Sequence, residues 1–334
     1  MSKNIIFYTF FSETYLPYAY VLFKSLFEKY PEARVLACAL DAGAMRIKKH
    51  FPSVEMFDLE EVKSKDPGLS RVLQSKSGAS AIFTCAPSIA LHALGKTATG
   101  EVLFYLDADT ALLSGVDEII HELKDKDTGL FPHRFSRFFN VILGKYGRYN
   151  AGAFIVRNSQ MGFNFLIDWR AKCLEWCEDR VEGDKYSNQG YLNNLSEKFQ
   201  VSTISLRKSA GNIAPWNAGF WNTRTRKRIA LFKTKPIIFF HFHGLTKSVR
   251  GWEISHLRYG QILGRRALNA IYSPYLVRLE EASGIFEIQI RKSERFESQG
   301  VAYFVDLAIK FISTLMLQYI PNKWLLTEHQ KQNK

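Results

Sequence analysis

The sequence predicts an α/β protein with a mixed, mainly parallel sheet flanked by helices and a helical C-terminal extension. Three observations predict it. Apolar runs without alternation, Ile5 to Phe11, Arg34 to Asp41 and Val102 to Leu106, read as strands buried on both faces. Amphipathic stretches of helical length separate such runs, and a strand, helix, strand unit of that length demands a parallel crossover. Two apolar runs also stop on polar groups, at Asp107-Ala108-Asp109 and at His241-Phe242-His243-Gly244. Open α/β sheets collect ligands beyond the carboxyl ends of their strands.

The first strand, Ile5 to Phe11, leads into an amphipathic helix from Tyr15 to Tyr30, with Ser12 or Thr14 as cap and Pro31 beyond its end. Arg34 to Asp41 is the second strand and Val54 to Phe57 the third. Thr84-Cys85-Ala86-Pro87 opens a helix through Leu94, with Thr84 capping and Pro87 in the first turn. That helix feeds the strand ending at Asp107. A helix from Asp117 to Lys124 follows, then strands at Thr128 to Arg134 and Ala151 to Val156, and a long helix from Phe163 to Cys177. Pro236 to Gly244 gives a late apolar strand. The boundary of the core falls at 247, leaving 248 to 334 as a basic helical extension.

With 334 residues, 46% hydrophobic and 14% aromatic, the chain can supply a large core, and only the last residues, Glu328 to Lys334, read as frayed. Forty-five Lys and Arg against 32 Asp and Glu give +13, which favours anionic partners without choosing among phosphorylated substrates, an acidic membrane surface and nucleic acid. Cys38, Cys85, Cys173 and Cys177 have no disulfide or zinc spacing, and fit packing in a reducing compartment. The N-terminal apolar run is too short for a signal peptide, so a cytoplasmic protein is expected. Val301 to Ile320 is mostly apolar, but Asp306, Lys310, Ser313, Thr314 and Gln318 form a polar stripe at helical spacing. That pattern fits a helix lying in a membrane interface, or buried against the core or a partner, better than a span.

Asp107 and Asp109, at i and i+2, can project to one side and share a hard divalent cation, with Ala108 leaving room; two solvated acids in a turn fit the same residues. His241 and His243 share one strand face, where a neutral imidazole could complete the metal shell. Gly244 would let backbone approach a phosphate, and Lys247 would add a point charge. Gly211-Asn212-Ile213-Ala214-Pro215-Trp216-Asn217 combines a turn, an indole and amides that suit a sugar, or is a loop packed by Trp216. Arg134, Arg137, Lys145 and Arg148 form one basic cluster; Arg224, Arg226, Lys227, Arg228, Lys233 and Lys235 form another. Both fit either solvated faces or a lipid-pyrophosphate or acidic glycan acceptor.

Taken in order, Asp107-Ala108-Asp109, Tyr149-Asn150-Ala151-Gly152, Asn188-Gln189-Gly190-Tyr191-Leu192-Asn193 and His241-x-x-Gly244-x-x-Lys247 resemble GT-A glycosyltransferases similar to family 8. Phe83 to Ser88, Pro132 to Phe135, Cys173 to Cys177 and Gly211 to Asn217 sharpen the likeness toward bacterial sugar-nucleotide transferases of lipopolysaccharide and surface-polysaccharide biosynthesis. The resemblance spans roughly residues 5 to 250. It implies a GT-A type, Rossmann-like fold and a nucleotide-sugar donor held with Mn2+ or Mg2+ by Asp107, Asp109 and His241, with Asp107 reaching the donor ribose. Thr9 and Tyr15 would seat the nucleoside, Gly244 and Lys247 the diphosphate, and Asn150 and Gly152 the donor sugar, while Gln189 would meet the sugar and the reacting face, with Asn188 and Asp184 as the other catalytic candidates. Asn212, Trp216 and Asn217 would meet the acceptor, a glycan or lipid-linked intermediate on the inner face of a bacterial membrane. Where this family often has Asp-Gln, the chain has Asn188-Gln189, so a carboxylate is missing; Asp184 is the nearest substitute. Ser248-Val249 replaces the Pro-Trp that often follows the lysine. A retaining reaction is slightly favoured. A nucleotidyltransferase acting on sugar phosphates would want a glycine-rich loop after the first strand, and Thr9 to Tyr15 has no glycine. An anion-binding or nucleic-acid-binding protein would rest on charge alone, and no nucleic-acid partner is expected.

Overall fold

The computed structural model describes residues 4–204, 210–219, 223–226, 229–232, 234–248, 251–290 and 319–321. In chain order its first strands are β1 (Ile5–Phe11), β2 (Arg34–Ala39), β3 (Glu55–Asp58), β4 (Val102–Leu106), the short β5 (Thr110–Leu112), β6 (Thr128–Pro132) and β7 (Tyr149–Arg157). A small hairpin follows, β8 (Val181–Glu182) and β9 (Lys185–Tyr186), then β10 (Ser202–Thr203). The central sheet has the order β10-β6-β7-β4-β1-β2-β3. Its strands are parallel except β7, which runs against both β4 and β6.

Alternation along these strands divides the core between two faces. Phe7, Val35, Phe104 and Ile155 point to one side; Ile6, Tyr8, Leu36, Leu103, Tyr105 and Phe154 point to the other. The helices are α1 (Leu16–Lys29), α2 (Leu59–Lys65), α3 (Pro67–Leu73), α4 (Gly78–Leu94), α5 (Asp117–Leu123), α6 (Arg137–Leu143), α7 (Gln160–Glu175), α8 (Leu192–Lys198) and α9 (Arg265–Phe286). Leu16, Leu22 and Phe23 of α1 join Leu268, Tyr275 and Leu279 of α9 on the first face. Ile89 and Ala93 of α4 join Phe165 and Trp169 of α7 on the second.

Several expected boundaries move. The α4 helix begins at Gly78, so Thr84 lies inside it and its hydroxyl donates to Ser80 O at 2.7 Å instead of capping. Pro87 is likewise internal, tolerated although it removes one helical N–H. Neither Ser12 nor Thr14 caps α1; their hydroxyls bond each other at 2.9 Å, while the Glu13 N–H donates to the Asp41 carboxylate. The strand expected to reach Arg134 stops at Pro132, because Arg134 takes a left-handed φ of 57°.

Later strands form smaller sheets: β11 (Thr223–Arg226), β12 (Ile229–Phe232) and β13 (Lys235–Pro236) in one, and β14 (Phe239–His241) paired with β5. The third comprises β15 (Thr246–Ser248), β16 (Gly251–Glu253) and β17 (Tyr319–Pro321). The helix expected over 301 to 320 lies outside the described residues except at its end, where residues 319 and 320 are strand. Among the described residues no helix is long and apolar enough to cross a membrane. Lys227, Arg228 and Lys233 of the second basic cluster also lie outside them. All four cysteines are buried and free.

Candidate metal and donor site

Three segments meet at the carboxyl edge of the parallel strands. The chain leaves β4 at Leu106 and turns through Asp107 and Asp109 into β5. Antiparallel pairing of β5 with β14 sets His241 opposite Thr110. Because β7 is reversed, its beginning lies at this same edge, with Tyr149 opposite Pro132 and Asn150 opposite Phe131. Parallel strands alone would have carried Asn150 to the far side.

His241 Nε2 stands 2.9 Å from Asp109 Oδ1 and 3.6 Å from Asp107 Oδ2. Backbone bonds fix these groups: Asp107 N–H donates to Gly152 O at 2.9 Å, Phe242 N–H to Asp109 O at 2.8 Å and His241 N–H to Ile213 O at 2.8 Å. The Tyr105 hydroxyl donates a short hydrogen bond to Asp107 Oδ1. Gly152 is required by space. A Cβ there would lie 2.4 Å from Asp107 Oδ2, 2.6 Å from His241 Cε1 and 2.9 Å from Asn150 Oδ1.

Charge couples the three groups. Burial, and then the neighbouring Asp109 carboxylate, push Asp107 above the usual carboxylate range against the pull of His241. Asp109 is also penalised by burial, yet the imidazole hydrogen-bonded to it brings it below that range. Burial disfavours the His241 cation, and the attraction of Asp109 and Asp107 more than offsets it, raising the ring above its ordinary value. Ligand atoms of Asp109, His241 and His243 all lie within 4.8 Å of one another. Oxygen and imidazole donors converging beside a glycine cradle fit a divalent cation of the Mn2+ or Mg2+ kind.

His243 was absent from the expected ligand set. It lies in the exposed turn just past the end of β14, where its ring centroid is 5.7 Å from that of His241, and its place two residues after His241 was the legible signal. The loop at 210–219 runs beside β14, with Ile213 bridging Phe240. Asn212 is fully buried with a left-handed φ of 54°, and its Nδ2 donates to Asn150 Oδ1 at 3.4 Å. Asn217 Nδ2 donates to His133 O at 3.0 Å and Asn212 O at 3.2 Å. Trp216 is only 3% exposed, and its ring meets His133, His241, His243 and Tyr259 at centroid distances of 5.3, 5.4, 5.6 and 5.9 Å. Its contacts are those of a packing anchor that braces the imidazoles.

Gln189 ties two walls together: its Nε2 donates to Tyr146 O at 2.8 Å, and its Oε1 accepts from Ala151 N–H at 3.3 Å, one residue from Gly152. Asn188 is buried, its carbonyl accepting from the Trp169 indole at 2.7 Å and its Oδ1 from Ser187 at 3.2 Å. Asp184 lines a hollow of about 160 Å³ with Lys172, Lys185, Tyr191 and Asn194, apart from the metal-type ligands. Lys247 Nζ donates to Glu280 Oε1 of α9 at 2.8 Å and lies 5.2 Å over the Trp252 ring. Gly244 has a left-handed φ of 71°. Thr9 is buried in β1, and the half-exposed Tyr15 ring lies 5.1 Å from Tyr18. The structure therefore joins Asp107, Asp109, His241, Asn150, Gly152 and Asn212 in one contact cluster, while no hydrogen bond among the described residues ties Asp184 or Lys247 to it.

No family model matches the chain. Two Bacillus subtilis (strain 168) proteins are similar to it: the uncharacterized YfnD, 24% identical over 277 residues, covering 82% of this chain and 88% of that one, and the uncharacterized YfnF, 23% identical over 233 residues, covering 68% and 77%. Among solved structures, the galactosyltransferase LgtC in complex with donor and acceptor sugar analogues aligns with a TM-score of 0.47 and 17% identity, over 72% of this chain and 87% of that one. Mouse xyloside xylosyltransferase 1 gives 0.46 and 12%, over 72% and 98%. The Streptococcus pneumoniae TIGR4 glycosyltransferase GlyE gives 0.44 and 14%, over 89% and 67%. Similarity this distant leaves the reading to the residues themselves.

Proposed function

We propose that the chain is a metal-dependent GT-A glycosyltransferase, similar to family 8, that moves a sugar from a nucleotide-diphosphate donor to a surface-glycan or lipopolysaccharide intermediate. The observation that carries this reading is the strand-end cluster in which His241 bridges Asp107 and Asp109 beside a glycine where any Cβ would collide with Asp107 and His241. Asp109, His241 and Asp107 would hold Mn2+ or Mg2+, with His243 beside them. The cation would supply charge stabilisation to the departing diphosphate.

The chain's own groups do the rest. Lys247 would leave its half-exposed pairing with Glu280, an interaction of small net worth, and meet the diphosphate. Gly244 would admit the phosphate close to the backbone. Gln189, held by Tyr146 and Ala151, would present a fixed amide to the donor sugar beside Asn150. Thr9 and Tyr15 are the proposed nucleoside contacts. Asn212 and Asn217 would act on the acceptor side by shaping the wall that Trp216 braces. Asn188 is buried and uncharged, so any carboxylate assistance would fall to Asp184. We favour retention at the transferred carbon and a location at the inner face of a bacterial membrane.

Thermal unfolding of the protein with a panel of nucleotide diphosphates and nucleotide sugars, with and without Mn2+, tests the reading. One nucleotide should stabilise the protein only when Mn2+ is present, and Asp109→Ala should abolish that shift while preserving the circular-dichroism spectrum. Absence of a Mn2+-dependent shift across the whole panel would sink the proposal.

A further inference from the structure

The excursion between β6 and β7 carries α6, and its two ends are at the candidate site: His133 before it and Asn150 after it. One side of this excursion is anchored. Phe135 stacks on His133 at 4.7 Å and on Tyr259 at 6.4 Å. Phe139 covers Gly260, where a Cβ would come within 2.0 Å of the ring. The other side is left uncovered by the described residues. Phe138, Val141 and Ile142 stand at i, i+3 and i+4, so they share a face, and they are 71%, 85% and 49% exposed. No residue of α6 is buried.

Cations flank that apolar face along the chain. Arg134, Arg137, Lys145 and Arg148 are all exposed, and none of the ion pairs among the described residues engages them. Lys145 and Arg148 lie over the rings of Tyr146 and Tyr149 at 5.3 and 5.1 Å. A helix offering an exposed aromatic and two branched aliphatic side chains, with exposed cations flanking them in sequence, has the composition of an interface-lying segment. We infer that α6 is a membrane-docking element that inserts Phe138, Val141 and Ile142 into an anionic lipid surface while Arg134, Arg137, Lys145 and Arg148 meet its headgroups. Charge complementarity selects this occupant: a second copy would bring the same cations face to face across a two-fold contact. Docking this way would turn the site's rim toward the bilayer, so the acceptor would be presented from lipid. That last step rests on the glycosyl-transfer reading; the membrane contact does not.

The test is co-sedimentation of the full chain with vesicles of phosphatidylcholine alone or with phosphatidylglycerol added. The wild type should bind only the anionic vesicles, less so as salt rises. The triple variant Phe138→Ser/Val141→Ser/Ile142→Ser and the double variant Arg137→Glu/Lys145→Glu should each lose about tenfold or more in partitioning. Reversing exposed cations elsewhere, Lys48→Glu/Lys49→Glu, should cost less than about threefold if the contact is local. Nucleotide-dependent thermal shifts should be unchanged in all of these, so a failure of donor binding and a failure of docking are separable. Three results would overturn the docking inference: no wild-type binding to either vesicle; wild-type-like binding by the triple variant, which would assign the contact to another surface; or self-association of the wild type, lost in the triple variant, without vesicle binding.

Discussion

At position 152 a hydrogen in place of a side chain lets the Asp107 carboxylate, the His241 imidazole and the Asn150 amide approach. Gly152→Ala is therefore expected to push Asp107 and His241 apart, at an overpacking cost of about 1–3 kcal/mol. Mn2+-dependent nucleotide stabilisation should fall sharply, with a modest loss of melting temperature in the absence of metal. If Lys247 meets the diphosphate as proposed, Lys247→Ala should weaken binding of a nucleotide diphosphate by about tenfold, the worth of one charge-assisted hydrogen bond, while leaving Mn2+ affinity nearly unchanged; titration calorimetry with each ligand separates the two. Asp107, Asp109 and His241 were legible in the sequence because an apolar run that ends in ligand-type residues needs an explanation. The packing role of Trp216 was not, because nothing in Pro215-Trp216-Asn217 says whether the indole faces ligand or the imidazoles behind it.

At the level of elements, strands β1, β2, β4 and the body of α1 could be read directly, since burial on both faces leaves an uninterrupted apolar record. Direction leaves none. The reversal of β7 and the pairing of β5 with β14 are long-range choices, and both set the site. The start of α4 was misplaced because Pro87 and Thr84 imitate a helix opening. The short 3-10 turn His256–Tyr259 carries a further consequence: His256 is completely buried, its ring within 2.8 Å of the Tyr272 hydroxyl, and burial pushes its pKa down from 6.5 to about 3. His133 is pushed down to about 4 in the same way. Both rings stay neutral in the fold but take a proton in the unfolded chain below pH 6.5. Stability is thus expected to decline as pH falls from 6.5 toward 4, by a few kcal/mol in order of magnitude for each ring. Urea unfolding across that window should show a shallower slope for His256→Gln than for the wild type.

For the molecule as a whole, α9 closes the core over α1. Phe242 stacks on Tyr275 at 3.5 Å, and Arg278 pairs with Glu28 at 2.9 Å. The Tyr275 hydroxyl is buried with no hydrogen-bond partner among the described residues, so Tyr275→Phe should raise stability by about 1 kcal/mol, measured by denaturant unfolding. Tyr275→Ala should cost about 3–5 kcal/mol through the cavity it leaves. The pairing of β5 with β14 also bears on time. Asp109 and His241 are remote in sequence, so loop closure delays their meeting relative to local helices. On the proposed metal reading, a chain emerging from the ribosome has Asp107 and Asp109 long before His241, and during that interval two carboxylates alone would have little grip on a cation. Metal affinity would then mature only when the second half of the chain folds back onto the first. In refolding experiments, Mn2+ uptake should lag the recovery of helical signal and coincide with the last phase, making the bound ion a clock for completed assembly.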